Sequence, residues 1–424
     1  MTSHSFVRLH NGCTLCVAEM PWMESISIGL WTGVGGRHDP ANQSGLAHFA
    51  EHMLFKGTRR RSARQLNRDI ESVGGSMDAY TSEDHTSFFV RGPAERLPRF
   101  ADVLFDIYRH SRFLADDVKR EREVIAEEIA MYREQPAQQV EELLWRTAWP
   151  SHPLGRPIAG TEESLANITS TSLRHHAASW FGSRNTIVSV AGRTTLKEVQ
   201  SLLDDIAPDH LPTGRRPPLR RFRKPQRHQP AVVSEHREID QVQLAIALHA
   251  PGRKDPEAPA LRLLNVLLGE NTSSRLWASL REDHGLCYDV GSDLTSLDDT
   301  GLLHIFAGVD PGKLKRALTT LRRELARLAA KAVSPRALAE ACEYAIASSR
   351  LALETPGAQM TSMAECLLFH GRWIPIEDHY QRLRSVTPAD VHHLAAELFR
   401  PSNLTLAMVG PIPHPDSAAT WLCP

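Results

Sequence analysis

The segment Gly45–Thr58, GLAHFAEHMLFKGT, carries the periodicity that decides how this part of the chain folds. Its apolar side chains recur at the spacing of an amphipathic helix, at Leu46, Phe49, Ala50, Met53 and Leu54. This spacing predicts a helix whose apolar stripe packs on a hydrophobic core. On such a helix, His48, Glu51 and His52 fall together on roughly the opposite side. The segment therefore predicts a helix with one face that packs on the core and one face that carries the candidate functional side chains.

The polar face of this helix has the composition of a metal site. His48 and His52 are one helical turn apart, so both imidazoles can reach one cation. A catalytic zinc takes imidazole and carboxylate ligands and keeps three protein ligands plus a position for water. Glu51 has no basic residue at i±4 and could accept a proton from that water. The spacing H-x-x-E-H is the inverted form of the better-known zinc-protease motif, although the motif alone leaves a solvated polar face as an alternative.

A wider stretch of sequence supports the metal interpretation. Gly45–Thr58, followed by Gly74–Thr81, GGSMDAYT, closely resembles the pitrilysin and mitochondrial-processing-peptidase family of zinc metallopeptidases, the inverzincins. The resemblance extends over essentially the whole chain and corresponds to the short, two-domain branch. It implies one Zn²⁺ per chain, with His48 and His52 as ligands and Glu51 as the general base.

The resemblance also implies the third ligand. In the family this ligand is a Glu in a downstream helix, and it falls on Glu128 within Glu121–Met131, EREVIAEEIAM. Periodicity alone leaves Glu123 and Glu127 as rivals, and the resemblance selects Glu128. A second family acid matches Glu121, two turns earlier on the same helix face, where it would support the site without binding the metal.

The second half of the chain resembles a degenerate copy of the first. Gly36–Pro40, GRHDP, recurs as Gly252–Pro256, GRKDP. Four residues near the end of the first half recur in the same order near the end of the second: Thr169, Phe181, Asn185 and Gly192 match Thr387, Phe399, Asn403 and Gly410. Ordered matches at a nearly constant offset indicate an internal duplication. The duplication aligns the metal-site positions with Leu264, Leu267 and Leu268, so the second copy has lost the metal chemistry.

Between the copies lies Leu211–Pro230, LPTGRRPPLRRFRKPQRHQP. Its prolines exclude a long helix or a central strand, which favours an exposed linker, with a basic docking patch as the alternative. We therefore predict a catalytic zinc-binding domain at 1–210, a linker at 211–230 and a degenerate homologous domain at 231–424.

The order of elements predicts an α+β fold. Ser5–Leu9, Cys13–Ala18 and Ser25–Thr32 have strand patterns, the first two around an Asn11-Gly12 turn. Helical patterns follow at about 44–56, 63–73, 95–111 and 115–133. Strands and helices in blocks favour two homologous α/β-roll domains, each a mostly antiparallel sheet packed with helices.

Two further segments match substrate-binding parts of the family. Arg281–Tyr288, REDHGLCY, resembles a segment whose Arg and Tyr face the substrate, which would assign Arg281 to a peptide carbonyl and Tyr288 to the oxyanion. Residues 75–90 read as a strand, and in the family an edge strand here pairs with extended substrate through main-chain groups, at Asp78 and Ala79. The family usually has Asn in place of Asp78, so the subsite preference does not transfer.

Composition limits the partners and the compartment. The 424 residues carry 49 Lys+Arg and 50 Asp+Glu, which gives no reason to expect nucleic acid. No apolar run is long enough for a membrane span, and Met1–Val17 lacks the pattern of a signal peptide. We therefore expect a cytoplasmic protein with six reduced cysteines, in which the pair Cys13 and Cys16 is structural.

These inferences converge on a zinc-dependent endopeptidase. The family's chamber has four domains and one chain supplies two, so a dimer is implied, and a homodimer is the simplest form because both half-sites are present. Such a chamber would admit peptides or unfolded segments as substrate. The alternatives are a leader-peptide or targeting-peptide processing subunit in a heterodimer with a non-catalytic homologue, and a non-enzymatic scaffold subunit.

Overall fold

The strands form two separate sheets, one in each half of the sequence. The structure, a computed structural model, describes residues 2–9, 12–206, 215–218, 221 and 230–422. The strands in these residues are β1 (Ser3–Arg8), β2 (Thr14–Glu19), β3 (Ser25–Thr32), β4 (Ser76–Thr81), β5 (Thr86–Pro93), β6 (Thr186–Gly192), β7 (Ala231–His236), β8 (Val242–Ala250), β9 (Cys287–Ser296), β10 (Gly301–Val309) and β11 (Leu404–Gly410). The first three strands confirm the strand patterns read from the sequence.

The two sheets share one topology. The first has the order β1-β2-β6-β3-β5-β4 and the second β7-β11-β8-β10-β9. In the first sheet β2 and β6 are parallel, and in the second β7 and β11 are parallel. The other neighbouring pairs are antiparallel. Apart from the extra edge strand β1, the second sheet repeats the first strand for strand, which is the arrangement that a duplication produces.

Helices cover both sheets. They are α1 (Leu46–Leu54), α2 (Ala63–Glu71), α3 (Leu97–His110), α4 (Ala115–Glu134), α5 (Pro136–Ala148), α6 (Glu162–Ala166), α7 (Ser170–Trp180), α8 (Leu196–Ile206), α9 (Ala258–Asn265), α10 (Leu314–Ala330), α11 (Pro335–Ala352), α12 (Pro356–His370), α13 (Ile376–Ser385), α14 (Pro388–Leu398) and α15 (Ala418–Leu422). The segments Val266–Glu270 and Trp277–Asp283 are π-helical. The predicted α+β class and the first four predicted helices are confirmed.

The compact units differ from the two halves of the sequence. One unit comprises Met1–Ile129, Arg156–Arg220 and Arg350–Trp373, and the other comprises Ala130–Gly155, Arg221–Ser349 and Ile374–Pro424. The predicted ranges 1–210 and 231–424 therefore differ from these units by the two segments around α5 and α12. Most of the predicted linker 211–230 lies outside the described residues.

The exchanged helices are equivalent to each other. In the first unit, α12 packs its Met360, Met363 and Leu367 on the sheet face that carries Trp31 and Phe89. In the second unit, α5 packs its Val140, Leu143 and Leu144 on the sheet face that carries Ala245, Ala407 and Val409. Each sequence half thus provides the helix that covers one face of the other half's sheet. This arrangement could not be read from the sequence, because both helices are simply apolar on one side.

Helix α1 is fixed at its start and along its apolar stripe. Gly45 precedes the helix with φ +93, a left-handed conformation that favours glycine. The carboxylate of Asp39 accepts hydrogen bonds from the backbone N–H groups of Gly45 (2.9 Å) and Ala47 (3.1 Å). The predicted apolar stripe is buried in the core of the first unit: Leu46, Phe49, Ala50, Met53 and Leu54.

The segment 75–90 is not one strand, as the sequence pattern suggested, but the hairpin of β4 and β5. Ser82–His85 forms the turn, in which the Ser82 N–H donates to the His85 carbonyl at 2.8 Å. The Ser82 hydroxyl also lies 2.8 Å from Nδ1 of His85. A polar turn of this kind interrupts an otherwise strand-like run, because its side chains replace the ladder hydrogen bonds.

Cys13 and Cys16 are buried in the first unit, and burial raises the pKa of each thiol to about 12. Free thiols of this kind are unreactive. Their environment agrees with the structural role expected for the pair. In the described part of the chain, no helix combines the length and the apolar character needed to cross a membrane.

The helix exchange predicts how the chain behaves when it is cut. A fragment ending at Arg220 lacks α12, whose large apolar side chains stabilise the first unit by about 1.5–3 kcal/mol each when buried. The sum is comparable with the net stability of a whole domain, on the order of 5–15 kcal/mol. We therefore expect fragments 1–220 and 221–424 to aggregate or unfold separately and to regain one cooperative thermal transition when co-expressed. A monomeric fragment 1–220 with the intact protein's unfolding temperature would contradict this expectation.

Candidate metal centre

Three side chains from two helices converge in the first unit. His48 and His52 lie on α1, and Glu128 lies on α4. Oε2 of Glu128 is 3.8 Å from Nε2 of His48 and 3.6 Å from Nε2 of His52. One ligand atom from each residue lies within 4.8 Å of the others, and no second such group of His, Cys, Asp or Glu occurs among the described residues.

These distances suit a zinc ion. Zinc bonds to nitrogen and oxygen are about 2.0–2.2 Å, which places tetrahedral ligand atoms roughly 3.4 Å apart. The observed 3.6 and 3.8 Å need a contraction of only a few tenths of an ångström. Two imidazole nitrogens and one carboxylate oxygen are also the donor set of a three-ligand zinc site with an open position. The residues present therefore fit the ion that the sequence motif predicts.

The structure separates Glu128 from its rivals on α4. Glu128 is partly buried, whereas Glu123 and Glu127 are exposed and absent from the convergent group. Periodicity could not make this choice, because it places all three acids on α4 without saying which side of the helix faces α1.

Glu121 orients one of the two histidines. Its Oε1 is 2.9 Å from Nδ1 of His52, and its Oε2 is 2.6 Å from Nζ of Lys56. With Nδ1 occupied by this carboxylate, Nε2 of His52 carries the lone pair toward Glu128 and a metal. Burial, the largest single effect, lowers the pKa of His52, but the hydrogen bond to Glu121 and the negative charges of the nearby carboxylates together outweigh it, so the pKa is raised. Burial raises the pKa of Glu121, yet its hydrogen bonds to His52 and Lys56 give a net lowering, so Glu121 is held as a carboxylate.

His48 is in a different environment. Burial, and then the neighbouring His52, lower the pKa of His48 to about 4. Its imidazole is therefore neutral near pH 7, the form that can bind a metal. Nδ1 of His48 is buried, and the described residues provide no hydrogen-bond partner for it. Unlike His52, His48 is thus held mainly by packing.

Glu51 lies beside the ligands and is buried, with 8% of its surface exposed. The hydroxyl of Thr81, at the end of β4, donates a hydrogen bond of 2.5 Å to Oε2 of Glu51. Burial raises the pKa of Glu51, and the hydrogen bond from Thr81 opposes this effect. A buried carboxylate with a raised pKa next to a metal position can act as a proton acceptor.

Asp78 and Ala79 lie on β4, which is an edge strand of the first sheet. Asp78 is exposed, and its Oδ1 accepts a hydrogen bond of 2.8 Å from the Ala79 N–H. An edge strand presents unpaired main-chain groups on one side and can pair with an extended peptide. The sequence predicted an edge strand at this place, and the structure does position β4 at the edge of the sheet.

Arg281 and Tyr288 lie in the second unit and are in contact there. The Arg281 guanidinium lies 4.8 Å from the ring centroid of Tyr288 and 4.1 Å from that of Trp277. Tyr288 is 77% exposed, so its hydroxyl is accessible to a ligand. Arg281 belongs to the π-helical segment Trp277–Asp283, and π-helical turns are frequent at functional sites.

In the second unit, the positions equivalent to the metal site are filled with aliphatic side chains. Leu264 and Leu268 are fully buried in its core, and Leu267 packs against that core. A buried leucine offers no donor atom to a metal, so these three positions serve packing. The structure agrees here with the expected degeneration.

Three residues at these sites were not singled out from the sequence. Lys56 was detectable, because the helical pattern predicted at 44–56 places it four residues after His52 on the same face, although α1 itself ends at Leu54. Thr81 and Trp277 gave no sequence signal for their contacts with Glu51 and Arg281. Which side chain a strand end or a π-helical turn presents depends on the tertiary packing around it.

Comparison with known proteins identifies the family. Residues 17–162 match the family model described as insulinase (peptidase family M16), and residues 167–344 match the model described as the peptidase M16 inactive domain. The chain is 31% identical to YmxG of Bacillus subtilis, described as an uncharacterized zinc protease, over 95% of this chain and 97% of that protein. It is also 31% identical to an uncharacterized zinc protease of Mycobacterium leprae, over 95% of this chain and 91% of that protein.

Solved structures show the same fold. A protease from Helicobacter pylori has a TM-score of 0.90 at 22% identity and covers 97% of this chain and 100% of its own. An M16-like peptidase from Alicyclobacillus acidocaldarius has a TM-score of 0.84 at 19% identity, with 96% and 98% covered. With an M16 domain that carries the H-x-x-E-H helix and an inactive M16 domain after it, the chain belongs to peptidase family M16, whose members named above are described as zinc proteases.

Proposed function

We propose that this protein is a zinc-dependent endopeptidase that cleaves peptides or unfolded segments. The observation that carries the proposal is the convergence of His48, His52 and Glu128 next to the buried carboxylate of Glu51. The H-x-x-E-H helix of an M16 domain and the names of the relatives support the same chemistry.

His48, His52 and Glu128 would hold one zinc ion per chain. Zinc, when bound, acts as a Lewis acid and makes water a nucleophile near neutral pH. The carboxylate of Glu51 would take the proton from the attacking water and would then give it to the leaving amine. Glu121 keeps the His52 ring in the orientation that directs Nε2 to the ion.

The substrate would bind as an extended chain. Main-chain groups on the open side of β4 would pair with the peptide near Asp78 and Ala79, adding a strand to the first sheet. Arg281 would donate to a peptide carbonyl, and the Tyr288 hydroxyl would stabilise the oxyanion. Because these two residues lie in the second unit, we further propose a homodimer with a closed chamber, in which the zinc domain of one chain works with the Arg281/Tyr288 segment of its partner.

The metal ligands and their support can be tested without a substrate. Glu128→Gln removes a charged ligand, so we expect substoichiometric zinc after dialysis. Glu121→Gln leaves the ligands in place but weakens the orientation of His52, and we expect its zinc affinity to fall about 10–100-fold. Glu127→Gln, one residue away and exposed, is the matched control and should bind zinc like the wild type.

Zinc content by mass spectrometry and chelator competition distinguish these cases. If Glu127→Gln lost zinc and Glu128→Gln retained it, the third ligand would be assigned one residue too late.

Replacing the proposed general base, Glu51, should have a different effect from replacing a zinc ligand. Glu51→Gln keeps the size of the side chain and can still accept the Thr81 hydrogen bond, but its amide cannot take a proton. We expect one zinc per chain and a loss of at least about 10²-fold in kcat on a disordered peptide. Peptide cleavage with and without chelator supplies the wild-type reference. Full turnover by a zinc-loaded Glu51→Gln protein would exclude this role.

The composite site of the proposed dimer predicts complementation between two inactive proteins. Glu51→Gln and Tyr288→Phe should each be impaired as homodimers. After subunit exchange, about half of the dimers are mixed, and each mixed dimer gains one intact site of two, so activity should recover to roughly a quarter of the wild type. If Tyr288 acted within its own chain, every site would lack one group. Confirmed exchange without recovery would then rule out the composite arrangement.

A further inference from the structure

The proposed function leaves one contact of the general base without a role, the hydrogen bond from Thr81 to Glu51. The donor and acceptor are 2.5 Å apart, and Glu51 is buried. Among the described residues, Thr81 supplies the one hydrogen bond to this carboxylate. A glutamate side chain has three rotatable bonds, so without this donor its oxygens would be free to occupy several orientations.

The hairpin turn that follows Thr81 holds the backbone of this residue in place. It is paired with Thr86 at the last position of the β4–β5 ladder. The next residue, Ser82, is bonded to His85 through both its main chain and its hydroxyl. The turn also packs closely on Gly35, where an added Cβ would lie 2.2 Å from the Ser82 carbonyl oxygen. The Thr81 hydroxyl is therefore presented from a backbone that cannot easily shift.

Tyr80, the residue before Thr81 on β4, makes its contacts on the opposite face of the strand. Side chains alternate along a strand, so Tyr80 points away from Glu51 when Thr81 points toward it. The Tyr80 hydroxyl donates to Oε1 of Glu365 on α12 at 3.3 Å and lies 3.2 Å from Nε2 of His85. The end of β4 is thus bonded on one face to the exchanged helix and on the other face to Glu51.

We propose that Thr81 is a positioning residue for the general base. Its hydroxyl holds Oε2 of Glu51 so that Oε1 is the oxygen directed to the water. This inference rests on the proposed function of Glu51 and extends it. The edge strand that would pair with the substrate is also the strand that aligns the base, so the same rigid strand would position both the peptide and Glu51.

The test compares two substitutions that differ in one hydroxyl. Thr81→Val keeps the shape of the side chain and removes the donor, whereas Thr81→Ser keeps the donor. For Thr81→Val we expect kcat on a disordered peptide to fall about 10- to 100-fold, the cost typical of a misaligned catalytic group, with KM and zinc affinity unchanged. Thr81→Ser should restore most of kcat. Thr171→Val, at an exposed position of α7 away from the site, is the matched control and should behave like the wild type.

A spectroscopic measurement tests the contact without activity. The infrared difference between the metal-free wild type and Glu51→Gln isolates the carboxylate band of Glu51. We expect this band to shift in a Thr81→Val background and to return in a Thr81→Ser background. In the Glu51→Gln background, adding Thr81→Val should cause no further loss of kcat, because Thr81 acts only through Glu51.

The outcomes are distinguishable. Wild-type kcat or an unshifted band in Thr81→Val, or a full second loss in the Glu51→Gln background, would overturn the positioning role. An equal loss of kcat in Thr81→Ser and Thr81→Val would also overturn it, because the hydroxyl would not be the cause. If the wild type cleaved no peptide at all, the proposed function would fail, while the infrared band would still decide whether Thr81 orients Glu51.

Discussion

The candidate site depends on the way α1 is packed. One side of this short helix is buried in the core of the first unit, and its first turn is bound to the carboxylate of Asp39. The apolar packing fixes the rotation of the helix, and the cap fixes its position along its axis. His48, Glu51 and His52 therefore have little freedom to move relative to α4 and β4, which supply Glu128 and Thr81. A metal site with bonds of about 2 Å requires that degree of rigidity.

The three carboxylates of the site differ in their electrostatic surroundings. Glu121 is hydrogen-bonded to His52 and Lys56, so it stays ionised and orients a ligand. Glu51 is buried and accepts the hydrogen bond from Thr81; burial raises its pKa, which suits the proposed role of accepting and releasing a proton. Glu128 directs an oxygen between the two imidazoles. Three acids of similar intrinsic pKa thus have different surroundings, which suit the different roles proposed for them.

The two units show how a duplicated fold can keep its architecture while its chemistry changes. Their sheets have the same topology, with one parallel pair in equivalent positions. Where α1 presents a polar face, the equivalent segment of the second unit, α9 and the π-helical turn after it, buries Leu264 and Leu268. The exchange of α5 and α12 means that neither sequence half covers its own sheet completely. Loss of either half would expose apolar surface, which provides a physical reason to retain the metal-free copy.

The sequence by itself determined the elements whose signal is local. The apolar stripe of α1, the shared polar face of His48, Glu51 and His52, and the duplication are all encoded in spacings along the chain, since helix and strand periodicity require no knowledge of distant residues. Glu128 needed the family resemblance, because periodicity does not reveal which side of α4 faces α1. Only the tertiary structure decided the contacts between elements remote in sequence: the link from Thr81 to Glu51, the turn that splits residues 75–90 into a hairpin, and the exchange of α5 and α12. Such contacts depend on how whole sheets and helices pack, and one apolar helix face is compatible with many partners until the complete core selects one.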